Sequence, residues 1–490
     1  MYEELLKTVA NLGSPRILVV GDFMLDSYIY GDALRISPEA PVPVLKVCRT
    51  EHGCGGAGSV AVDLVDLRAL PFCVGIIGND PNGKILKDML TRAGADISGI
   101  LFTGDRPTTS KQRLIGLAQH RHRQQLIRMD HESAAPLSDA QCEQVLKVYA
   151  DKLRLTDAVC LQDYNKGLLN QPVCARMLQL AAAAGRKVLI DPCLAPDYSK
   201  YRSATVITPN RKEAAAAVGF EIQDTQTAAN AADELFDRLQ LEAVVITLDR
   251  EGAYLKTDSI SELVPTMPRS VYDVTGAGDI VLATLTVALA AGCDYRTAVQ
   301  LSNIAGGIEV EKFGAATVTI EEIINEIISE KRGKGGKVRS LDALLTELGW
   351  RRLQKETIVF TNGCFDVLHR GHVEFLKFCR AQGDVVVVGL NSDRSVRAIK
   401  GPDRPLNNQY DRASVLAALE TVDYITVFDE PQPLNLITKL KPDVLVKGQD
   451  WAQKGVIGRE FVESYGGKVV LAPLVEGKSS TAVIDKMKSI

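Results

Sequence analysis

The sequence predicts an α/β protein built from two domains. Three observations carry that prediction. Short β-branched runs alternate with helical stretches along most of the chain, and each run closes on turn or polar residues. The alternation breaks once, near residue 330, and then restarts.

In the first half, RILVVGD (16–22), DAVCLQD (157–163), KVLIDP (187–192), TVITPN (205–210) and AVVITL (243–248) read as buried parallel strands. Helical stretches such as CARMLQLAAAAG (174–185) and ATLTVALAAG (283–292) separate several of them, which implies βαβ units. RISPEAPVPVLKV (35–47) is different: its three prolines exclude a helix and favour an edge strand or lid. EKRGKGGKVRS (330–340), Gly-rich and with five Lys/Arg, reads as a flexible, solvated linker. Beyond it TIVFTNG (357–363), DVVVVGL (384–390), YITVFD (424–429), DVLVKG (443–448) and KVVLAP (468–473) resume the strand rhythm. The expected division is a domain over 1–320, a linker over 321–344 and a domain over 345–490, with no internal repeat.

Composition narrows the class. With 46% hydrophobic and 24% charged residues, the 490-residue chain can bury a sizeable core. A net charge of −4 gives no case for a nucleic-acid partner. Ten cysteines without a CxxC pair fit reduced thiols better than disulfides or zinc. The acidic start MYEELLKTVANLGSPR is no secretory signal, and no apolar run suits a membrane helix. A cytoplasmic protein with no membrane partner is expected.

The most informative stretch of the first half is Asp273-Val-Thr-Gly-Ala-Gly-Asp279 before a helical run. Gly276 and Gly278 let backbone approach a ligand, and the amides opening the helix favour an anion. A carboxylate at Asp279 can then accept the proton of an attacking hydroxyl while those amides hold a transferring phosphoryl group. The bland alternative is a capped helix start with a solvated aspartate. Gly55-Gly-Ala-Gly-Ser-Val60 is a second glycine cluster, and Asp22 ends the first strand as a candidate acceptor for sugar hydroxyls. Asn210 and Glu213, in TPNRKE, are candidates to hold a nucleotide phosphate or its hydrated magnesium.

In this order the set resembles the ribokinase-like (PfkB) carbohydrate kinases over roughly 300 residues. The resemblance implies that Asp279 is the catalytic base and that Asn210, Arg211, Lys212, Glu213, Gly276, Ala277 and Gly278 bind ATP. It implies a sugar site at Asp22, Asp26, Gly55 and Gly56. Within the family, GDFMLD (21–26), RISPEAPVPV (35–44) and the segment 108–130 look like the heptose 7-phosphate kinases. Lys111 and Arg113 are then either partners of the sugar's distal phosphate or surface charges. Ser59 stands where the family has Asn, Cys193 where Lys is expected, and Arg121-His-Arg123 also departs from the pattern.

The second half carries GCFDVLHRGH (363–372), which holds two of the chain's six histidines. They fall where a strand gives way to a helix N-terminus. Zinc helices space His at i and i+4 around a Glu, and neither feature is present. Phosphate chemistry remains, with Gly371 admitting the ligand. The stretch resembles the HxGH signature of cytidylyltransferase-like nucleotidyltransferases at His369, Gly371 and His372, and Lys478-Ser-Ser-Thr481 matches that family's second anion-binding turn. The resemblance makes His369 and His372 catalytic. It assigns nucleotide and phosphate contacts to Gly363, Phe365, Asp366, Gly371, Asn391, Asp393, Lys400 and Arg412. Lys447, Gly448, Asp450, Ser479, Ser480 and Thr481 complete that set. Gln449 departs from the usual KGGD pattern.

Together the halves resemble the bifunctional heptose 7-phosphate kinase/heptose 1-phosphate adenylyltransferases over essentially the whole chain. This implies a ribokinase-like domain with a small β lid, followed by a Rossmann-like nucleotidyltransferase domain. The implied activities are phosphorylation of D-glycero-β-D-manno-heptose 7-phosphate at C1, and formation of ADP-heptose for lipopolysaccharide. ATP and heptose phosphates are the expected ligands, Mg²⁺ with ATP the cofactor, and a homodimer through the first domain the assembly. Two alternatives stand: a kinase/cytidylyltransferase pair acting on another sugar or polyol phosphate, and a non-catalytic nucleotide-sugar sensor.

Overall fold

The structure is a computed structural model that describes residues 2–117, 124–266, 276–312 and 316–473. The chain divides into two compact units between Glu326 and Ile327, with the first seven residues counted in the second unit.

The first unit is built on a nine-stranded sheet. Its spatial order is Ser261–Pro265, Gly252–Thr257, Ala243–Thr247, Val206–Ile207, Lys187–Asp191, Ala158–Gln162, Arg16–Gly21, Leu70–Gly78, Asp96–Thr103. Only Gly252–Thr257 runs against the others, pairing antiparallel with both of its neighbours. Ile17, Leu18, Val19 and Val20 are all 0% exposed, so the central strand is covered on both faces, as a parallel sheet requires. From Arg16–Gly21 the chain moves to Leu70–Gly78 on one side and later to Ala158–Gln162 on the other. The carboxyl ends at such a switch point diverge and leave a crevice for ligands.

The proline-rich segment behaves as its composition predicts. Phe23–Ile36 and Pro43–Gly56 pair antiparallel, with Ile36 opposite Pro43, and Thr109–Gly116 and Gln124–His131 extend this second, four-stranded sheet. Pro43–Gly56 is an edge strand, and every residue of Gln124–His131 is exposed.

The second unit holds a five-stranded, all-parallel sheet in the order Tyr424–Phe428, Val385–Asn391, Ile358–Gly363, Val444–Gly448, Lys468–Ala472. Alternate strand residues feed opposite cores: Ile358, Phe360, Val385 and Val387 pack on one face, Val359, Val386 and Val388 on the other. The switch point lies between Ile358–Gly363 and Val444–Gly448.

The flexible linker expected over 321–344 is corrected by the structure. Helix Ile320–Gly335 occupies most of it and crosses the division between units. Val338 then bridges to Ile425 in the parallel sense, with the Arg339 amide donating to the Ile425 carbonyl at 2.8 Å. The side chain of Arg339, 1% exposed, bonds Glu347, 0% exposed, at 2.6 Å. Lys337 caps the Leu419 carbonyl at 2.7 Å. These basic residues anchor the segment to the second unit. Among the described residues no helix is long and apolar enough to cross a membrane.

Candidate functional site

In the first unit, helix Ala277–Ala290 buries eleven of its fourteen residues, so an aspartate in its first turn is forced out of water. Asp279 is 6% exposed. Its Oδ1 accepts from Gln162 Nε2 at 2.8 Å and from the Tyr164 hydroxyl at 3.4 Å. Burial pushes the carboxyl up to about 7, opposed by the Ser59 hydroxyl, raised further by Asp26, and opposed again by Lys111 and Tyr164. A carboxyl poised there is suited to general-base work near neutral pH. Gly276 caps the helix in the left-handed region at φ 96°, and a Cβ there would lie 2.3 Å from Glu309 Oε1. Only glycine fits. Asp273–Thr275, the first part of the glycine turn, lie outside the described residues, as do Arg121–Arg123.

Gly276, Gly278 and Asp279 share a cavity of about 580 Å³ with Asp191, Cys193, Asn210 and Glu213. A second cavity of about 500 Å³ shares Asn210 and Gly278 with it and adds Arg211, Lys212 and Ala277. The expected ATP residues are thus brought together, but the roles of three change. Asn210 Oδ1 accepts the amides of Lys212 and Glu213, while Glu213 Oε2 accepts the Asn210 amide at 2.8 Å. This is a reciprocal capping box, so part of the Asn/Glu pair is spent on starting the helix. Arg211 bonds Asp249 at 3.0 Å and Glu251 at 2.8 Å, which neutralises its charge. Lys212 is exposed.

The sugar-side residues cluster around the lid. Asp22, 7% exposed, accepts the amides of Tyr164 and Lys166 at 3.0 and 3.1 Å. Burial and then Asp163 push its carboxyl up to about 6 against those amides. Asp26 pairs with Arg113 at 2.8 Å. A Cβ on Gly55 would stand 2.7 Å from Asp26 Oδ2, and one on Gly56 2.4 Å from the Asp22 carbonyl, so both glycines make room for backbone and carboxylate. Lys111 lies opposite Asp26 in register with its ammonium 4.8 Å from the Tyr164 ring centre. At Cys193 the thiol is 3.7 Å from Lys200 Nζ, so a cation reaches this place from a later residue.

In the second unit, strand Ile358–Gly363 turns into helix Arg370–Arg380, with His369 at the N-cap and Gly371 and His372 in the first turn. The two imidazoles stack, and Phe365 tilts against His372 with ring centres 5.2 Å apart. Phe365 adopts φ 45°, and a Cβ on Gly363 would meet its ring at 2.9 Å. Burial, then His369 and Lys400, push His372 down to about 4. Across the switch point Lys447 bonds Asn362, lies 5.1 Å from the Trp451 ring centre, and is pushed down to about 8 by burial. Gly448 and Asp450 follow at that strand's end.

Four other residues expected to touch phosphate brace the site from behind. Arg412 is 2% exposed and donates to the carbonyls of Asn407 and Cys364 and to Asp393 at 2.7 Å. Asp366 accepts from Arg404 at 2.6 Å and from the amides of Leu406 and Asn407. Asn391 donates to Ser395 at 2.9 Å, and the Asp393 amide to Gln409. Lys400 is exposed, and its charge acts on both His372 and Cys364. Ser479, Ser480 and Thr481 lie outside the described residues. Among the described residues no group of three or more His, Cys, Asp or Glu is arranged to hold a metal ion.

Residues 14–322 match the pfkB family carbohydrate kinases, and residues 360–484 match the cytidylyltransferase-like family. A bifunctional protein HldE from Geobacter sulfurreducens is 43% identical over 98% of this chain and 96% of its own. The chain belongs to the HldE family. The bifunctional protein HldE of Wolinella succinogenes is likewise 43% identical, over 97% of this chain and 98% of its own.

Solved structures show the same fold for the first unit of this HldE-family chain. Arabidopsis thaliana ribokinase complexed with ribose and ATP superposes with a TM-score of 0.52 at 18% identity, covering 64% of this chain and 99% of that one. The tetrameric inhibited form of Escherichia coli phosphofructokinase-2 gives 0.53 at 17% identity, covering 65% and 100%. The chain is a bifunctional enzyme, a kinase fused to a nucleotidyltransferase. Sequence reasoning missed Gln162, Tyr164 and Asp191 in the kinase site. Gln162 and Asp191 end neighbouring parallel strands at the switch point, and that placement was the available signal.

Proposed function

We infer that the first unit transfers the γ-phosphoryl group of ATP to the C1 hydroxyl of D-glycero-β-D-manno-heptose 7-phosphate. The second unit converts heptose 1-phosphate and ATP to ADP-heptose and pyrophosphate, for lipopolysaccharide. The observation that carries this reading is one chain holding both a buried carboxyl poised at about 7 beside a glycine-capped helix start and a stacked histidine pair at a second helix start. The HldE relatives of nearly full length support the same pairing.

In the kinase site Asp279 takes the C1 hydroxyl proton as that oxygen forms its bond to the γ-phosphorus and the bond to ADP breaks. Amides at Gly276–Gly278 stabilise the charge on the transferring group. Lys111 and Arg113 hold the 7-phosphate, while Asp22 and Asp26 take sugar hydroxyls. Mg²⁺ bound with ATP would supply charge neutralisation on its phosphates. Glu213, a carboxylate that burial raises on the wall of the same cavity, suits the hydrated ion, with Asn210 beside it.

The transferase site needs no strong base, because a sugar 1-phosphate is already an ionised nucleophile. Its oxygen attacks the α-phosphorus and pyrophosphate leaves. His369, His372, Lys400 and Lys447 gather and stabilise the anions, with Arg412 and Asp366 holding the loops that carry them. A separate phosphatase must remove the 7-phosphate between the two reactions, so no channel between sites is required.

The kinase module runs to about Glu326 and the transferase module begins at Ile327. We place the enzyme in the cytoplasm as a homodimer through the lid sheet, where Val47, Leu126, Ile127 and Met129 are exposed. A monomeric mass by light scattering would reject the dimer. Turnover of synthetic heptose phosphates with ATP and with CTP tests the substrates. ATP alone should support both steps; CTP turnover in the second step would favour the cytidylyltransferase alternative.

A further inference from the structure

Strands Ala158–Gln162 and Lys187–Asp191 run parallel and in register to their last residues, so Gln162 and Asp191 point to the same side of the sheet. Gln162 is 0% exposed. Its Nε2 makes two bonds of 2.8 Å, one to Asp191 Oδ2 and one to Asp279 Oδ1. An amide nitrogen carries two hydrogens, and both are committed here. The amide orientation follows from its partners, since a flipped group would set its oxygen against two carboxylates. Among the described residues Gln162 Oε1 is buried with no hydrogen-bond partner.

We propose that Gln162 is the positioning residue of the kinase base, holding Asp279 Oδ1 so that the other carboxylate oxygen is left to the sugar hydroxyl. The proposal rests on the reading of Asp279 as that base. Nothing in the strand itself asks for an amide. The preceding residues of the strand, Ala158 to Leu161, are apolar and fully buried, and an apolar side chain at 162 would avoid an orphaned oxygen. The backbone duties of Gln162, such as accepting the Asp22 amide at 3.2 Å, survive any substitution. What a substitution removes is the bridge between two carboxylates.

Several other groups face Asp279. Tyr164 follows the same strand, and Ser59 comes from helix Ala57–Asp66. Asp26 and Lys111 come from the lid strands, and Asp191 stands across the amide. Asp63 on helix Ala57–Asp66 acts from behind, with Glu309 of helix Tyr295–Glu309 next to it. Burial and Asp26 oppose ionisation of Asp279, whereas a donor such as the Gln162 amide favours the ionised form that accepts a proton. Losing the donor therefore makes the base harder to ionise. Sugar and nucleotide contacts stay intact, because the Gln162 amide faces the two carboxylates and the Tyr164 hydroxyl.

The test uses the full-length enzyme with Gln162→Leu and Gln162→Ser, which differ in volume so that one packing defect does not decide the result. Kinase kcat and KM are followed against pH with heptose 7-phosphate and Mg-ATP. The acidic limb should move up by about one pH unit, so that kcat below the limb falls about tenfold and recovers in alkali. KM for the sugar should stay within about twofold, and adenylyl transfer should not change. A limb that stays in place while kcat drops equally at every pH overturns the proposal. So does a rise confined to KM, or loss of the folded kinase module in both variants. Asp279→Asn is measured alongside. If it keeps kinase turnover, the base assignment itself has failed; if it is inactive while the limb is unmoved, only the role of Gln162 has failed.

Discussion

His369 and His372 stack face to face, with ring centres 4.0 Å apart and planes 25° from parallel. Two imidazoles this close resist carrying two positive charges. With burial the larger cause, His372 is held down at about 4 and is neutral at neutral pH. Among the described residues its Nδ1 has no hydrogen-bond partner. A neutral imidazole at a helix start can gain a proton when an anion is placed beside it.

That gives the first prediction. An anion beside His372 raises its proton affinity, so ATP binding at about pH 5.5 should take up a proton. Calorimetry in buffers of different ionisation enthalpy measures the uptake, and His372→Ala should remove the part that comes from the second unit, leaving only that of the kinase site. The sign for stability follows from the same shift. Between its folded value near 4 and the ordinary 6.5, the unfolded chain binds more protons, so stability from this group is complete above that window and lost as pH falls through it.

Arg412 separates bracing from binding. Its guanidinium ties Cys364, Asn407 and Asp393 together out of contact with water. Arg412→Leu should destabilise the second unit by about 3–5 kcal/mol, since Asp393 loses its cation. Lys400→Ala, at an exposed residue, should raise KM for ATP with little change in melting. Calorimetry with both variants distinguishes the two roles.

Gly276→Ala places a Cβ 2.3 Å from Glu309 Oε1 at φ 96°. Backbone strain alone costs about 1–3 kcal/mol. Kinase turnover should be lost while adenylyl transfer persists, and a coupled assay for each product checks both.

Arg339→Ala removes the guanidinium bonded to Glu347 where both side chains are buried. The second unit should lose about 3–5 kcal/mol, although the segment reads as a solvated linker. A melting transition at the wild-type temperature would contradict the anchoring.

The parallel strands were legible because each is a short apolar run ending on turn residues, and observed limits such as Arg16–Gly21 and Lys187–Asp191 fall within the expected runs. The glycine turn and the histidine stretch were legible because a left-handed helix cap and a crowded strand-to-helix turn restrict residue type. Other features depend on distant partners. Gln162 meets its carboxylates across 29 and 117 residues, and Val338 finds Ile425 far along the chain. An arginine that grips phosphate and one that grips carbonyls look alike in sequence, which is why Arg412 was expected on the ligand. The Asn210–Glu213 spacing, by contrast, is itself a local capping signature, and its double use went unread.

The central claim is two independent sites in one chain. Wild type, Asp279→Asn and His372→Ala should be incubated with Mg-ATP and each heptose phosphate, and products followed by phosphorus NMR. Asp279→Asn should lose about 10²–10⁴-fold in 1,7-bisphosphate formation and keep ADP-heptose formation, while His372→Ala should do the reverse. Loss of both activities in either variant, or retention of the kinase step without the Asp279 carboxylate, would contradict it.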